Sequence, residues 1–350
     1  MHVQFCSIVP PYLLRRLAQQ DAPGYSAAAT AARKALGHVE SFHAARSRAA
    51  SAPTPGLRQE KPVPVDRTIY DAEGSEVLPG TPVRKEGGAA TTDAAADEAY
   101  DGLGHTHRFY AEVFDRNSMD DSGLRLDATV HFGQLYDNAF WNGSQMVFGD
   151  GDGDVFERFT RSISVIGHEL AHGVTQYSAG LAYRNQAGAL NESMSDVFGA
   201  LVDQYAKNQT AAQATWLIGE GLFTPQVQGL ALRSMKAPGT AYDDDVLGKD
   251  PQPDSMDGYV RTSADNGGVH INSGIPNRAF YLVAEALGGN AWESPGRIWY
   301  ETLTNGSLPP AATFSVFARA TIRTAAGLFG QESSGHDAVR SAWETVKVKV

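Results

Sequence analysis

From residue 161 onward, apolar side chains recur every third or fourth position, the spacing that gathers them into one stripe of a helix. The pattern predicts helices over roughly Arg161–Tyr177, Leu190–Lys207, Gly274–Leu287, Trp292–Thr304, Thr313–Leu328 and His336–Val346. In the first of these the stripe is Ile163, Ile166, Leu170 and Val174, and Gly180 lies just beyond, where a helix can stop. In the second it is Met194, Val197, Phe198, Leu201 and Tyr205. Before Phe159 the pattern shortens to strand-like pieces, Thr68–Tyr70, Thr129–Phe132 and Gln145–Phe148, interrupted by one helix over Asp93–Phe114. The N-terminal stretch reads as extended over Val9–Tyr12, stiffened by Pro10-Pro11, then helical over Leu13–Gln20 and Ala27–Arg48. Small residues and proline over Ala49–Gly56 make an exposed, cleavable linker. No internal repeat recurs at a fixed period. The outline is α+β: a leader over 1–50 (boundary within about 45–60), a β-rich lobe over 51–180, and a helical lobe over 181–350.

Composition narrows the class. A chain of 350 residues, 42% hydrophobic, can build one or two lobes with a substantial core. Cys6 is the sole cysteine, so no internal disulfide supports the fold. The net charge of −11 argues against nucleic acid as a partner, since phosphate binding needs a basic surface. No apolar run is long enough to span a bilayer, so no membrane partner is expected. The first residues lack a basic start followed by an apolar stretch, so no secretory signal is expected. A cytoplasmic location, or export by a non-classical route, follows as the expectation, with the protein a monomer. The charge is uneven: residues 1–60 carry seven basic and three acidic side chains, leaving −15 for the remainder. A basic leader on an acidic body suggests a segment that docks against the rest.

Candidate chemistry begins at His168-Glu169-Leu170-Ala171-His172. On a helix, positions i and i+4 share a face, so both imidazoles can reach one zinc ion. A catalytic zinc takes three protein ligands and keeps a fourth position for water. Gly188-Ala189-Leu190-Asn191-Glu192-Ser193-Met194-Ser195-Asp196 opens the next helix, and Glu192 and Asp196 share a face of it. One of these carboxylates can ligate the ion while the other holds a ligand histidine by its free N–H.

With these motifs the chain resembles the thermolysin family of zinc metalloendopeptidases. The resemblance rests on His168–Gln176, Gly188–Asp196, the block Asn138-Ala139-Phe140-Trp141-Asn142-Gly143, and Asp265-Asn266-Gly267-Gly268-Val269-His270-Ile271-Asn272-Ser273-Gly274. It covers about 65–350, and the short leader with Val9-Pro10-Pro11-Tyr12 is similar to the protealysin-like branch. The resemblance implies a two-lobe fold with the cleft between the lobes, and one zinc held by His168, His172 and Glu192, with Asp196 orienting His168. Glu169 would activate a zinc-bound water and pass its proton to the leaving amine. Tyr183 and His270 would donate to the oxyanion, with Asp265 holding the His270 ring. Asn138, Ala139 and Arg233 would bind substrate backbone, Arg233 at the rim of an apolar primed-side pocket matched by Phe156, Phe159, Val165, Ile218 and Leu232. The implied substrates are peptides or proteins, cut on the amino side of bulky apolar residues. The leader would act as a propeptide in the cleft, making the chain a zymogen, and Cys6 offers a thiolate that could take the fourth zinc position.

The chain also departs from that family. Asp203 and Glu220 match two carboxylates of its double calcium site, but Ser164, Thr215 and Leu217 stand where others are expected. Calcium needs six to eight oxygens, so calcium binding is expected to be weak or absent. Gly149–Asp154 looks calcium-like but has Arg161 where an EF-hand loop needs an acidic residue, and so reads as a tight turn. Two other readings compete. An aminopeptidase would need a motif that captures a free amine, and none is seen. A binding protein derived from an enzyme fits poorly with competent residues at every catalytic position.

Overall fold

Six strands form the sheet of the first lobe: β1 (Cys6–Ser7), β2 (Arg67–Asp71), β3 (Thr81–Lys85), β4 (Leu126–Val130), β5 (Ala139–Trp141) and β6 (Met146–Phe148). Their spatial order is β1-β5-β6-β4-β2-β3. β2–β4 and β4–β6 are parallel, and the other neighbours antiparallel. This computed structural model describes residues 6–22, 24–46 and 64–350, with backbone alone at Cys6 and 39–46, so the expected linker and leader boundary lie outside it. β2, β4 and β6 fall where the strand-like pieces do. β1 and β5 have two and three residues, too few to display a period of two. β3 is almost wholly exposed and carries Pro82, as an edge strand can.

The helices are α1 (Pro11–Leu17), α2 (Ser26–Arg46), α3 (Ala94–Phe114), α4 (Ile163–Gln176), α5 (Asn185–Lys207), α6 (Asp265–Asn272), α7 (Gly274–Leu287), α8 (Ser294–Thr304), α9 (Phe314–Phe329) and α10 (Ser334–Thr345). Two short antiparallel pairs, β7 (Leu217–Ile218) with β8 (Arg233–Ser234) and β9 (Asp243–Asp244) with β10 (Gly248–Lys249), lie between α5 and α6. α3 packs on β2 and β4 and also on α4. In the helical lobe Trp299 stacks on Trp343 and meets Phe280 and Phe317 edge-on.

Three expectations are corrected. The extended stretch ends at Pro10 (φ −65°, ψ 145°), and Tyr12 is helical, because Pro11 occupies the first helical position, where a missing N–H costs nothing. α4 starts at Ile163, after a separate 3₁₀ turn over Phe159–Arg161. α5 starts at Asn185 rather than Leu190, since its first turn is made of small and polar residues that carry no apolar signal.

Two local features position the site. Where α4 crosses α5, Gly167 faces Gly199, and a Cβ on Gly199 would lie 2.4 Å from Ser164 O and 3.0 Å from His168 N. Only glycine lets the two backbones approach this closely. At the start of α6, Asp265, Asn266, Gly267 and Gly268 all have positive φ (50°, 50°, 92° and 74°). That left-handed turn needs Asp, Asn and Gly, the residues that tolerate it.

The N-terminal segment is docked on this body. Ile8, Val9, Leu14, Leu17, Ala28, Ala32 and Ala35 are wholly buried. Arg16 donates from Nε to Val246 O (3.0 Å) and from Nη2 to Asp245 O (2.8 Å), and Gln20 one turn on also donates to Val246 O (3.0 Å).

Candidate metal centre and peptide cleft

α4 turns His168 and His172 toward α5. His168 Nδ1 faces Asp196 Oδ1 at 2.7 Å, and His172 Nδ1 faces Asn191 Oδ1 at 2.8 Å. Asn191 Nδ2 donates to Leu181 O (3.0 Å), which fixes Oδ1 as the atom turned to the ring. Both acceptors call for a proton on Nδ1, which turns each Nε2 inward as the free ligand atom. The two Nε2 atoms face one another at 3.1 Å, with Glu192 Oε2 3.6 Å from that of His168 and Oε1 3.6 Å from that of His172. Burial pushes His172 down to about 3, keeping it neutral. Burial works against the Glu192 carboxylate, yet His270, His172 and His168 together hold its pKa below the usual range.

Two imidazole nitrogens and a carboxylate converging in a buried space call for a cation between them, a proton or a metal ion. Atoms bound about 2.0–2.1 Å from one tetrahedral ion stand roughly 3.3–3.4 Å apart, close to the separations here. Among the described residues His168, His172 and Glu192 are the group that could hold a metal ion. The donor set, two neutral imidazoles and one carboxylate, fits zinc.

Glu169 follows His168 on α4 without joining this group. Its Oε2 accepts from Trp141 N (3.0 Å) on β5, while Oε1 is buried and unpaired. Burial, then the nearby Glu192 charge, push its pKa well above the usual carboxylate range. A bound dication would counter that push.

Across the cleft, the left-handed turn lets Asp265 accept from His270 N (3.0 Å) and meet His270 Nδ1 (2.7 Å). Burial alone would lower His270, but Asp265 and Glu192 outweigh it and raise it to about 9. Tyr183 donates its hydroxyl to Glu192 Oε1 and sits 3.2 Å from His270 Nε2. Arg233 is wholly buried with the N-terminal segment lying against it. Its Nε and Nη2 grip Asp196 (2.9 and 2.8 Å), which also accepts from Asn277 Nδ2 (2.8 Å). Burial opposes the Asp196 charge, but Arg233 and His168 hold its pKa well below the usual range.

The cleft contains a peptide. β1 pairs antiparallel with β5, Cys6 opposite Trp141 and Ser7 opposite Phe140. Ile8 N donates to Ala139 O (3.1 Å), Val9 N to Asn138 Oδ1 (3.0 Å), and Arg233 Nη1 to Ile8 O (3.0 Å). His270 Nε2 lies 3.2 Å from Ser7 O. The side chain of Cys6 lies outside the described residues. Phe156, Phe159, Val165, Ile218 and Leu232 are all buried. Phe156 and Phe159 rings meet at 5.5 Å, and Ile218 pairs with Arg233 across β7–β8.

The structure thus gathers His168, His172 and Glu192 with Glu169, Tyr183, His270, Asn138, Ala139 and Arg233, while the expected Cys6 ligand lies outside the described side chains. Sequence reasoning missed Asn191, Ser195 (Oγ 3.0 Å from His172 Nδ1), Asn277 and the Trp141 amide. A signal existed for two of them: Asn191 and Ser195 are spaced i, i+4, one residue behind the pair Glu192 and Asp196. At the calcium-matched positions, Lys207 pairs with Asp203 (2.8 Å), Thr215 donates to Glu220 (3.2 Å), and Ser164 Oγ accepts from Gly219 N (3.1 Å). In Gly149–Asp154, Asp152 Oδ1 accepts from the amides of Asp154 and Val155, both at 2.6 Å, an Asx turn.

A buried carboxylate with an unpaired oxygen beside a His-His-Glu group that could hold a metal, under a strand that pairs with an extended segment, is the arrangement of a metallopeptidase. The sequence matches "Thermolysin metallopeptidase, catalytic domain" over residues 58–176 and "Thermolysin metallopeptidase, alpha-helical domain" over 179–348. The chain belongs to the thermolysin metallopeptidase family. It is 52% identical over 346 residues to an extracellular metalloprotease of Pectobacterium carotovorum subsp. carotovorum, covering 99% of this chain and 97% of that one. To protease PrtS of Photorhabdus sp. it is 52% identical, over 81% of this chain and 76% of that one. The solved precursor of protealysin, a metalloproteinase from Serratia proteamaculans, superposes with a TM-score of 0.87 at 53% identity, covering 98% of this chain and 99% of that one. The resemblance to the protealysin-like branch holds across the N-terminal segment as well.

Proposed function

We propose that the chain is the latent form of a neutral zinc endopeptidase, with residues 1 to about 50 as an inhibitory propeptide occupying the cleft. His168, His172 and Glu192 would hold zinc, which supplies a Lewis acid to polarise a carbonyl and to acidify water. Glu169 takes the proton from the attacking water and returns it to the leaving amine. Tyr183 and His270 donate to the carbonyl oxygen as charge develops on it, with Asp265 keeping the His270 Nδ1 protonated. Asn138, Ala139 and Arg233 hold the substrate backbone, and the apolar side chains from Phe156 to Leu232 accept the residue after the cut. The observation that carries this reading is the pair of imidazole Nε2 atoms at 3.1 Å beside an unpaired Glu169 oxygen.

The test is zinc content together with cleavage of peptides blocked at both ends. One zinc per chain and cuts before Leu, Ile, Val or Phe are expected. Preference for a charged residue there would overturn the specificity, and cleavage restricted to free amino termini would favour an aminopeptidase. Calcium is expected to add little stability, because a lysine already neutralises Asp203. A large loss of Tm on calcium-selective chelation, with zinc retained, would refute that. A monomer, located in the cytoplasm or exported by a non-classical route, completes the reading.

A further inference from the structure

The N-terminal segment does more than cover the cleft, because it lies in one particular register. Three backbone groups in succession are satisfied by the residues assigned to substrate: Ile8 N on Ala139 O, Ile8 O on Arg233 Nη1, and Val9 N on Asn138 Oδ1. These bonds fix the preceding carbonyl. Ser7 O points at His270 Nε2 from 3.2 Å, and that nitrogen lies 3.2 Å from the Tyr183 hydroxyl. One of the two donors assigned to a developing oxyanion, His270, therefore lies on the Ser7 carbonyl, and the other, Tyr183, stands beside that donor with its hydroxyl on Glu192. His270 Nε2 is itself 3.6 Å from Glu192 Oε2 of the metal group. The residue after this carbonyl, Ile8, is bulky, apolar and wholly buried, as the expected specificity demands. The proline pair at Pro10-Pro11 lies beyond the bond and does not protect it.

We propose that the Ser7–Ile8 peptide bond is a self-processing site: the enzyme hydrolyses this bond within its own leader. The proposal rests on the reading of the N-terminal segment as a leader held in a peptidase cleft. One water is consumed. The C–N bond between Ser7 and Ile8 breaks, the water oxygen joins the Ser7 carbonyl carbon, and both water protons end on the Ile8 nitrogen. A Ser7 carboxylate and an Ile8 ammonium result. The cut removes only the segment up to Ser7, while the leader from Ile8 onward keeps its own anchors: the Arg233 and Asn138 hydrogen bonds, Leu14 and Leu17 in the core, and Arg16 on the Val246 loop. Self-processing here shortens the leader without expelling it.

The test uses the full chain, wild type and Glu169→Gln, followed by intact-mass spectrometry and by hydrogen–deuterium exchange. The zinc-loaded wild type should convert to a species beginning at Ile8, with a half-time unchanged on tenfold dilution, as an intramolecular cut requires. Glu169→Gln should stay whole and show slow exchange at the Ile8 and Val9 amides, with or without metal. Slow exchange in the variant together with wild type that remains whole, or is cut elsewhere between Met1 and Tyr12, would overturn the processing site and leave the docked leader standing. Conversion that speeds up in proportion to concentration would overturn the intramolecular cut. Fast exchange at both amides would overturn the docked leader, and the processing register with it.

Discussion

Glu169 and its neighbours show how a buried site holds several charges at once. Asp196 spreads one negative charge over His168, Arg233 and Asn277, while Glu169 keeps one oxygen with no partner. An unpaired buried carboxylate oxygen is costly, and its cost is accepted where a proton must be taken up. Glu169→Gln should therefore bind one zinc as the wild type does, yet lose roughly 10²–10⁴ in kcat, the range for removing a general base. Zinc stoichiometry and single-turnover cleavage on the same preparation check it, and activity in the zinc-loaded variant would remove Glu169 from the role. The metal ligands were legible in the sequence because helical spacing converts i, i+4 directly into a shared face. Asn191 and Ser195 have the same spacing and went unread, because an amide and a hydroxyl carry no charge to mark them. Arg233 and Asn277 come from distant segments and meet Asp196 only through tertiary packing, which no local pattern reports.

Elements set the distances that these residues need. The α4–α5 crossing brings the histidines onto Asp196 and Asn191 because Gly167 and Gly199 admit no side chain between the backbones. Gly199→Ala would place a methyl 2.4 Å from Ser164 O, a backbone atom that cannot step aside. A cost of about 1–3 kcal/mol is expected, as for overpacking, with weaker zinc binding as the helices separate. Unchanged zinc affinity by competitive chelation would show that the crossing does not set the site. In the sheet lobe, His131 bridges two elements: Nε2 meets Asp93 (2.7 Å), the N-cap of α3, and Nδ1 meets Asp150 (2.9 Å) after β6. The bond to Asp150, opposed by partial burial and aided by Asp93, raises His131 to about 9. A group raised on folding stabilises fully below its unfolded pKa, near 6.5, and loses that contribution as pH rises through 9. The full shift would be worth ~3 kcal/mol, and water around Asp150 cuts it to about 1–2 kcal/mol. The Tm advantage of wild type over His131→Gln should shrink steadily from pH 6.5 to 9, and a constant difference would sink the clamp. The helices of the second lobe other than α6 were readable because each spans several turns of one stripe. β1, β5 and the left-handed turn before His270 were not, since two or three residues have no period and a turn of Asp, Asn and Gly leaves no apolar trace.

At the scale of the molecule, the question is what holds the leader down. The charge division, a basic first segment on an acidic body, pointed to electrostatics. The contacts place the weight elsewhere. Lys34 and His38 both reach Glu76 (2.9 and 3.2 Å), but this cluster is open to water, with the Glu76 side chain 44% exposed. Such pairs are worth about 0–1 kcal/mol and are screened by salt. Arg16, the most engaged basic residue among the described side chains of the leader, donates to backbone carbonyls rather than to a carboxylate. Against this stand Ile8, Val9, Leu14 and Leu17, each wholly buried in the core that continues into both lobes. Removing one buried leucine side chain costs about 2–5 kcal/mol, more than the whole ion cluster. In the full chain carrying Glu169→Gln, which blocks self-cleavage, Leu14→Ala should speed amide exchange across α1 and the first turns of α2 by roughly 30-fold or more. Raising salt from 0.05 to 1 M (about a threefold change in screening length or more) should speed it by less than about fivefold. Exchange in α4 and α5 should hardly move in either case, which separates leader release from general unfolding. If high salt frees α1 as much as Leu14→Ala does, the charge division holds the leader and the apolar account is wrong.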